Sequence, residues 1–297
     1  MNNPEPLPAE LLTQQRPRWR LAATVRRGML SLAVLLQTLT ATYFILSILP
    51  YHGGNLIEVC IAAVFALLFA WISVGFWIGL TGFFLRRIGG DPLSLLRQQD
   101  EATLEATPLA RTAVVMPIYH EPVGRSLQGL KSVILSLQRS GKLENFDFFI
   151  LSDSRDPDVW LAEQAAWDQL RNELGMQDRI FYRRRPINLN YKSGNVADFL
   201  RRWGGAYEYM VVLDADSLMG GDNLVRMVQL MQRHPQVGIL QSSPSLINGR
   251  SLFARLQQFS NQLYGPLFTT GLAAIQLGHA AFWGHNAILR IQPFMQH

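Results

Sequence analysis

An α/β domain on a mostly parallel sheet, preceded by a two-helix transmembrane hairpin, is the fold class the sequence predicts. Three observations carry it: two long uncharged stretches near the start, four short apolar runs further on, and helical spacing between those runs. The 297 residues, 48% hydrophobic and 16% charged with one cysteine, can bury a sizeable core and exclude a disordered, collagen-like or disulfide-stapled chain. The 27 Lys and Arg against 22 Asp and Glu leave +5, which suits a phosphate-bearing ligand or an anionic membrane face and is too diffuse to argue for nucleic acid.

The hairpin comes first. No Asp, Glu, Lys or Arg occurs from Gly28 to Ile57, and none from Val59 to Leu85. A helix of about 20 apolar residues crosses a hydrocarbon layer of about 30 Å, so each stretch is long enough. Pro50, Tyr51, His52, Gly53 and Gly54 break the helix between them. The expected division is a cytoplasmic tail over 1–27, a first span over 28–50, a periplasmic loop over 51–58 and a second span over 59–85. Arg16, Arg18, Arg20, Arg26 and Arg27 precede the first span and Arg86 and Arg87 follow the second, so both ends are expected on the cytoplasmic side. No small-x-small cleavage site follows the first span, which disfavours a signal peptide. Cys60 has no partner in the chain and reads as a small packed hydrophobe, and Trp71 and Trp77 read as packing residues. Gly75 and Gly79 are either a close-approach pair or tolerated glycines.

Residues 86–110, with Gly89, Gly90, Asp91, Pro92 and Pro108, have a linker composition with room for a short interfacial helix. A soluble domain over 111–297 follows. Its apolar runs are Thr112 to Ile118, Phe146 to Leu151, Tyr209 to Leu213 and Val237 to Leu240. Helical spacing covers Ser126 to Leu137, Val159 to Leu174 and Leu224 to Met231. In a parallel sheet of this kind ligands bind beyond the carboxyl ends of the strands. There the sequence turns polar: Pro117 to Pro122, Ser152 to Asp156, Asn188 to Gly194, and Asp214 to Asp216. No Gly-rich dinucleotide fingerprint follows the first strand, and no Walker-type lysine loop is present.

Val211-Val212-Leu213-Asp214-Ala215-Asp216 is the most informative element. The strand enters the core as Val-Val-Leu and emerges as Asp-x-Asp, and its period of two is expected to point both carboxylates the same way. Convergent carboxylates need a cation or a proton between them, and an all-oxygen set selects a hard ion, Mg²⁺ or Mn²⁺. The other reading is a polar strand end with Asp216 or Ser217 as a helix cap. Asp153 is an acceptor for a base or ribose, or an Asx-turn residue. Lys192, just before a helical stretch, suits a diphosphate, or is a surface lysine. Arg183, Arg184 and Arg185 add to a phosphate field or form a solvated charge run. Leu252, Phe253, Leu256, Phe259, Leu263, Tyr264 and Leu267 mark an amphipathic helix, for a membrane interface or for core packing.

These blocks, in this order, resemble the processive inverting glycosyltransferases of family 2, the group that includes cellulose and hyaluronan synthases. The wording of Met116 to Pro122, Asn188 to Asn195 and Trp283 to Ala287 is similar, more narrowly, to the membrane enzymes that build osmoregulated periplasmic glucans in Gram-negative bacteria. The resemblance implies a GT-A-type, Rossmann-like fold, incomplete here at its C-terminal end. It also implies inverting, metal-dependent transfer of glucose from UDP-glucose to a growing β-glucan. By that likeness Glu121, Asp153 and Lys192 hold uridine and diphosphate, Asp214 and Asp216 hold the nucleotide and Mg²⁺ or Mn²⁺, and His285 and Asn286 contact sugar or acceptor, with His279 structural. It implies a multi-pass protein of the bacterial inner membrane with a cytoplasmic transferase domain. Its partners would be the glucan chain, the lipid bilayer and a periplasmic glucan-processing protein, without nucleic acid. The family's Thr-Glu-Asp and Gln-x-x-Arg-Trp motifs do not occur between Gly284 and His297, so the general base is expected beyond His297 and the chain reads as an amino-terminal fragment. The alternative is a membrane-anchored UDP-sugar-binding or regulatory protein without turnover.

Overall fold

The computed structural model describes residues 16–97 and 99–296, so residues 1–15 of the expected tail lie outside the described residues. The described residues fall into two compact units, one within the ranges 1–98 and 243–280, the other within 99–242 and 281–297.

The first unit is helical. Helix α1 (Arg16–Ile48) and α2 (Leu56–Arg87) have 33 and 32 residues, and both are long and apolar enough to cross a membrane. Helix α1 starts well before the expected span. Asn55 caps α2 by accepting from Ile57 N at 2.7 Å. Glu58, 5% exposed, closes the connecting turn by accepting from the backbone N–H groups of Tyr51 and Gly53 at 2.9 and 2.8 Å. Trp77 is tied to Gln37 by an Nε1–H bond of 2.6 Å. Trp71 is 82% exposed and Cys60 is exposed, so neither is the packed residue expected from the sequence.

The third helix of this unit, α8 (Leu252–Gln276), comes from the expected soluble block 111–297. It joins the hairpin because glycine lets the backbones meet. A Cβ on Gly82 would overlap the Leu267 carbonyl, one on Gly271 would overlap the Ile78 carbonyl, and Gly79 lies under the Tyr264 ring. The Tyr264 hydroxyl donates to Gly75 O at 2.8 Å. Leu252, Phe253, Leu256, Phe259 and Leu263 of α8 are all more than half exposed, whereas Tyr264 and Leu267 of the same stripe pack against α2. The arginines before the first span meet the other end of α8. Arg26 forks onto Asp91 at 2.6 and 3.0 Å and donates to Ala274 O at 2.7 Å, and Arg27 donates to Ile275 O and Gln276 O. These cations answer the carbonyls left free at a helix C-terminus. Burial works to raise the Asp91 carboxyl, but the bonds from Arg26 and the Leu93 N–H outweigh it and hold it below the usual range. The His279 ring lies against Trp19, tilted by 58° with centroids 5.1 Å apart.

The second unit is a six-stranded sheet between helices. Its strands are β1 (Thr112–Ile118), β2 (Phe146–Ser152), β3 (Ile180–Arg184), β4 (Tyr209–Val212), β5 (Ile239–Gln241) and β6 (Ala287–Arg290), in the order β3-β2-β1-β4-β6-β5. The pairs β1–β2, β1–β4 and β2–β3 are parallel, and β6 is antiparallel to β4 and β5. The sheet is thus the mostly parallel one expected, with two strands more than the apolar runs suggested. Strand β3 was hidden because its Arg183 and Arg184 masked an edge strand. Strand β6 was hidden because it is short and antiparallel.

Alternation along β1 sends Val114, Met116 and Ile118 to a core shared with α4 (Val123–Arg139), α5 (Pro157–Leu174) and α7 (Gly221–Arg233). It sends Ala113 and Val115 to the other face, under α6 (Tyr191–Trp203). Asp156 caps α5 by accepting from Asp158 N at 2.9 Å, Pro157 opens its first turn, and Gly175 ends it at φ 63°. In the expected linker a short helix, α3 (Glu101–Glu105), packs on α7 through buried Leu104 and the Arg226–Glu101 pair at 2.7 Å, rather than lying free as an interfacial helix.

Replacing Gly271 by Leu forces two backbones apart and is expected to destabilise the helical unit by about 3 kcal/mol or more. Gly28→Ala, at a position with open space around it, serves as the neutral control, both read by thermal unfolding in detergent. In the sheet unit His234 is 7% exposed and lies 3.2 Å from the Gln99 amide nitrogen, an arrangement that uses the neutral ring as acceptor. Burial and the nearby Arg233 charge lower its pKa, so the unfolded chain binds more protons between that lowered value and the ordinary 6.5. Stability should therefore fall as pH drops below 6.5, and His234→Gln should flatten that slope in denaturant titrations at several pH values.

Candidate active site

Four parallel strands end at one edge of the sheet, and the antiparallel β6 begins there, since Val212 pairs with Ala287. Gln241, at the end of β5, also pairs with Ala287. This single edge therefore collects the loops after Ile118, Ser152, Arg184, Val212 and Gln241, together with the turn before Ala287.

The loop after β2 is held by two buried carboxylates. Asp153 is 3% exposed, and both its oxygens accept from Arg185, at 2.7 Å from Nε and 2.7 Å from Nη2. The same guanidinium donates to Leu189 O at 3.1 Å and Tyr191 O at 3.1 Å. Arg185 is thus no member of a solvated charge run, and Asp153 is no simple Asx-turn residue. The second carboxylate, Glu163 of α5, is 1% exposed. It accepts from the hydroxyls of Ser152 at 2.6 Å, Ser154 at 2.6 Å and Tyr182 at 3.0 Å. Burial, the larger effect, and the Glu163 charge push the Tyr182 hydroxyl well above its ordinary value, so it remains a donor. Ser154 Oγ accepts in turn from the backbone N–H of His120 at 2.9 Å, tying in the loop after β1. Glu121, next along that loop, is exposed.

Lys192 enters from the start of α6. Asn190 and Tyr191 adopt left-handed φ values of 56° and 49°, and a Cβ on Gly194 would overlap the Leu189 carbonyl, so the loop folds tightly back on the first helical turn. That turn directs Lys192 Nζ to Asp214 Oδ1 and to Gly284 O, the latter at 2.9 Å. His285 Nε2 lies 3.9 Å from Asp214 Oδ2. Strand β4 ends at Val212 and the D-x-D lies in a turn closed by Ser217 N donating to Asp214 O at 3.0 Å, so strand alternation does not set its side chains. Asp214 is partly exposed and Asp216 exposed. Among the described residues no three His, Cys, Asp or Glu side chains gather as a metal-holding group. The turn before β6 is clamped by Gln241, whose Nε2 donates to His285 O at 3.0 Å and whose Oε1 accepts from Trp283 N at 3.1 Å. Asn286 is 7% exposed with φ 52°, and among the described residues its Oδ1 and the His285 Nδ1 have no hydrogen-bond partner.

The structure therefore brings Lys192, Asp214 and His285 together, with Asn286 beside them. Asp153 is held by Arg185 at the neighbouring strand end, and Glu121 and Asp216 have no polar partner among the described residues. Sequence reasoning missed Glu163 and Gln241, and it named Arg185 only within a basic run, without its buried partner. Glu163 had a usable signal, because it is the one charge in a stripe with Trp160, Ala166, Trp167, Leu170 and Leu174. Gln241 had none.

The sequence matches the Glycosyl transferase family 2 model over residues 113–297. It is 49% identical over 280 residues to the Glucans biosynthesis glucosyltransferase H of Cupriavidus pinatubonensis, covering 94% of this chain and 32% of that protein. It is 48% identical over 297 residues to the protein of the same name from Ralstonia nicotianae, covering 98% and 34%, and 45% identical over 314 residues to that of Pectobacterium atrosepticum, covering 98% and 36%. The chain thus spans about a third of the length of the curated relatives it matches. The solved mannosyltransferase Ktr4p of S. cerevisiae overlaps 70% of this chain and 59% of its own at 13% identity and a TM-score of 0.29, too low to carry an argument. With its family model matched over the greater part of its length, the chain belongs to glycosyltransferase family 2.

Proposed function

We propose that this chain carries the donor side of a membrane glucosyltransferase that moves glucose, with inversion, from UDP-glucose to a growing β-glucan, the backbone of an osmoregulated periplasmic glucan. The observation that carries the reading is the meeting of Lys192, Asp214, the Gly284 carbonyl and His285 at the ligand-facing edge of a family 2 domain. The names of the relatives support glucose and glucan as the chemistry. The paired apolar helices and their flanking arginines support an inner-membrane protein with the transferase domain on the cytoplasmic side. The expected boundaries of the two spans, at residues 28–50 and 59–85 with the loop 51–58 between them, are kept as the proposed membrane topology. A periplasmic glucan-processing protein is the partner that the likeness to periplasmic-glucan enzymes implies.

Each residue takes a role that follows from its surroundings. The loops of Glu121 and Asp153 face the uridine, with Arg185 fixing the Asp153 carboxylate. Lys192, at the positive end of α6, answers the diphosphate. His285 and Asn286, with nitrogen and oxygen atoms free to bond, face the sugar or the acceptor. Asp214 and Asp216 are hard oxygen donors of the kind Mg²⁺ or Mn²⁺ takes, and a bound ion would stabilise negative charge on the departing diphosphate. Lys192 adds to that stabilisation from a fixed position, which is worth most where water is excluded. The group that takes the acceptor proton is not assigned among these residues.

Calorimetry of UDP-glucose binding in detergent, with and without Mg²⁺ or Mn²⁺, is the test. Binding is expected to need the ion and to weaken at least about tenfold in Asp216→Ala, in line with the loss of a charged contact. Metal-independent binding that the mutant leaves unchanged would sink the assignment. Arg185→Lys keeps the charge but loses the fork, and since breaking a buried pair outright costs about 3–5 kcal/mol, a partial loss should appear as lower thermal stability together with weaker UDP-glucose binding.

A further inference from the structure

Glu163 is a carboxylate that the roles above leave unused. It lies 1% exposed beneath the sheet edge, and its recorded bonds come from hydroxyls, with no ion pair among the described residues. A buried carboxylate is costly to keep, and an apolar residue would suit its place in the α5 stripe. What it gains is reach. Ser152 closes β2 and Tyr182 lies in β3. Ser154 follows Asp153, and its hydroxyl holds the His120 N–H one residue before Glu121. Ser152 Oγ also accepts from Ser154 N at 3.1 Å, and Ser152 O accepts from Arg185 N at 3.0 Å. Each of these hydroxyls can point its proton at Glu163 only if the side chain is an acceptor at both oxygens, as an ionised carboxylate is and an amide is not.

We infer that Glu163 is a positioning residue for nucleotide recognition: from beneath the sheet it sets the loops after β1 and β2, and with them Glu121, Asp153 and Arg185, without touching the ligand. This deepens the donor reading given above and rests on it for the identity of the ligand. In Glu163→Gln one oxygen becomes an N–H₂ group facing serine or tyrosine hydroxyls, so at least one buried hydroxyl loses its acceptor although size and shape are kept. The loops after β1 and β2 should loosen while the Lys192, Asp214 and Gly284 cluster stays in place.

The experiment compares wild type, Glu163→Gln and Ser154→Ala in detergent by three measurements: hydrogen exchange over residues 118–121 and 152–155, calorimetric affinity for UDP-glucose and for UMP, and Mn²⁺ affinity by electron paramagnetic resonance. For Glu163→Gln the expected result is at least tenfold faster exchange in both segments, at least tenfold weaker binding of UDP-glucose and UMP alike, and Mn²⁺ affinity within twofold of wild type. Ser154→Ala, which leaves Glu163 two of its donors, should speed exchange mainly at 118–121 and lower both affinities less, so the inference remains open to test if the first variant folds poorly. Unchanged exchange in both segments, or nucleotide affinity that falls only in step with Mn²⁺ affinity and thermal stability, overturns it, because that is what a merely structural residue would do. Should wild type bind neither UDP-glucose nor UMP, the donor reading fails, and exchange at the two segments decides for or against Glu163 by itself.

Discussion

Asp153 sits at the end of a central strand with 3% of its surface exposed, and at that depth a carboxylate needs its charge answered. Arg185 answers it with both arms of a guanidinium fork, and the rest of that edge follows from the geometry of the pair. The remaining N–H groups of the guanidinium reach back to the carbonyls of Leu189 and Tyr191, which bracket the left-handed Asn190. The chain can then turn sharply enough to begin α6 with Lys192 facing Asp214. Three of the carboxylates at this edge are met by three kinds of donor: a guanidinium at Asp153, hydroxyls at Glu163 and an ammonium at Asp214. The choice follows exposure. The two deepest are bound by planar or neutral donors that lose little by leaving water, and the partly exposed Asp214 is left to the strongly hydrated ammonium.

The helical unit depends on a different constraint, the distance between backbones. Helices surrounded by lipid gain little from burying apolar side chains, so they associate where small residues let main chains touch. Gly82 and Gly271 do this between α2 and α8, and Tyr264 adds a hydroxyl bond to the Gly75 carbonyl. Arg26 and Arg27 then have two functions. Their charge marks the side of the membrane on which they stay, and their N–H groups satisfy the last carbonyls of α8.

Much of the candidate site could be read before any coordinate was known, because apolar runs that end in polar blocks reveal strand ends. Asp153, Lys192, Asp214, His285 and Asn286 were all found in that way or by likeness to family 2. What could not be read was how they are held. Arg185 was lost in a run of three arginines, since a charge run looks the same whether it is solvated or folded against a buried acid. Gln241 clamps a turn more than forty residues further along the chain, a pairing that exists only because β5 and β6 are neighbours. The D-x-D was read as a continuing strand. Its two carboxylates instead leave the sheet in a turn, because β4 stops at Val212.

The sequence by itself determined the apolar helices, the arginines at their ends, the strand-forming runs and the family, since each depends on composition or order within a short window. Tertiary structure decided which of those segments belong together. It moved residues 243–280 out of the expected soluble block and into the helical unit, because only a packed pair of helices can show that Gly82 and Gly271 meet. It also turned Glu163 from an irregularity in a helical stripe into the acceptor for three hydroxyls from two neighbouring strands and the loop beyond them. Contacts of that kind join residues distant in sequence through a geometry that no local pattern encodes.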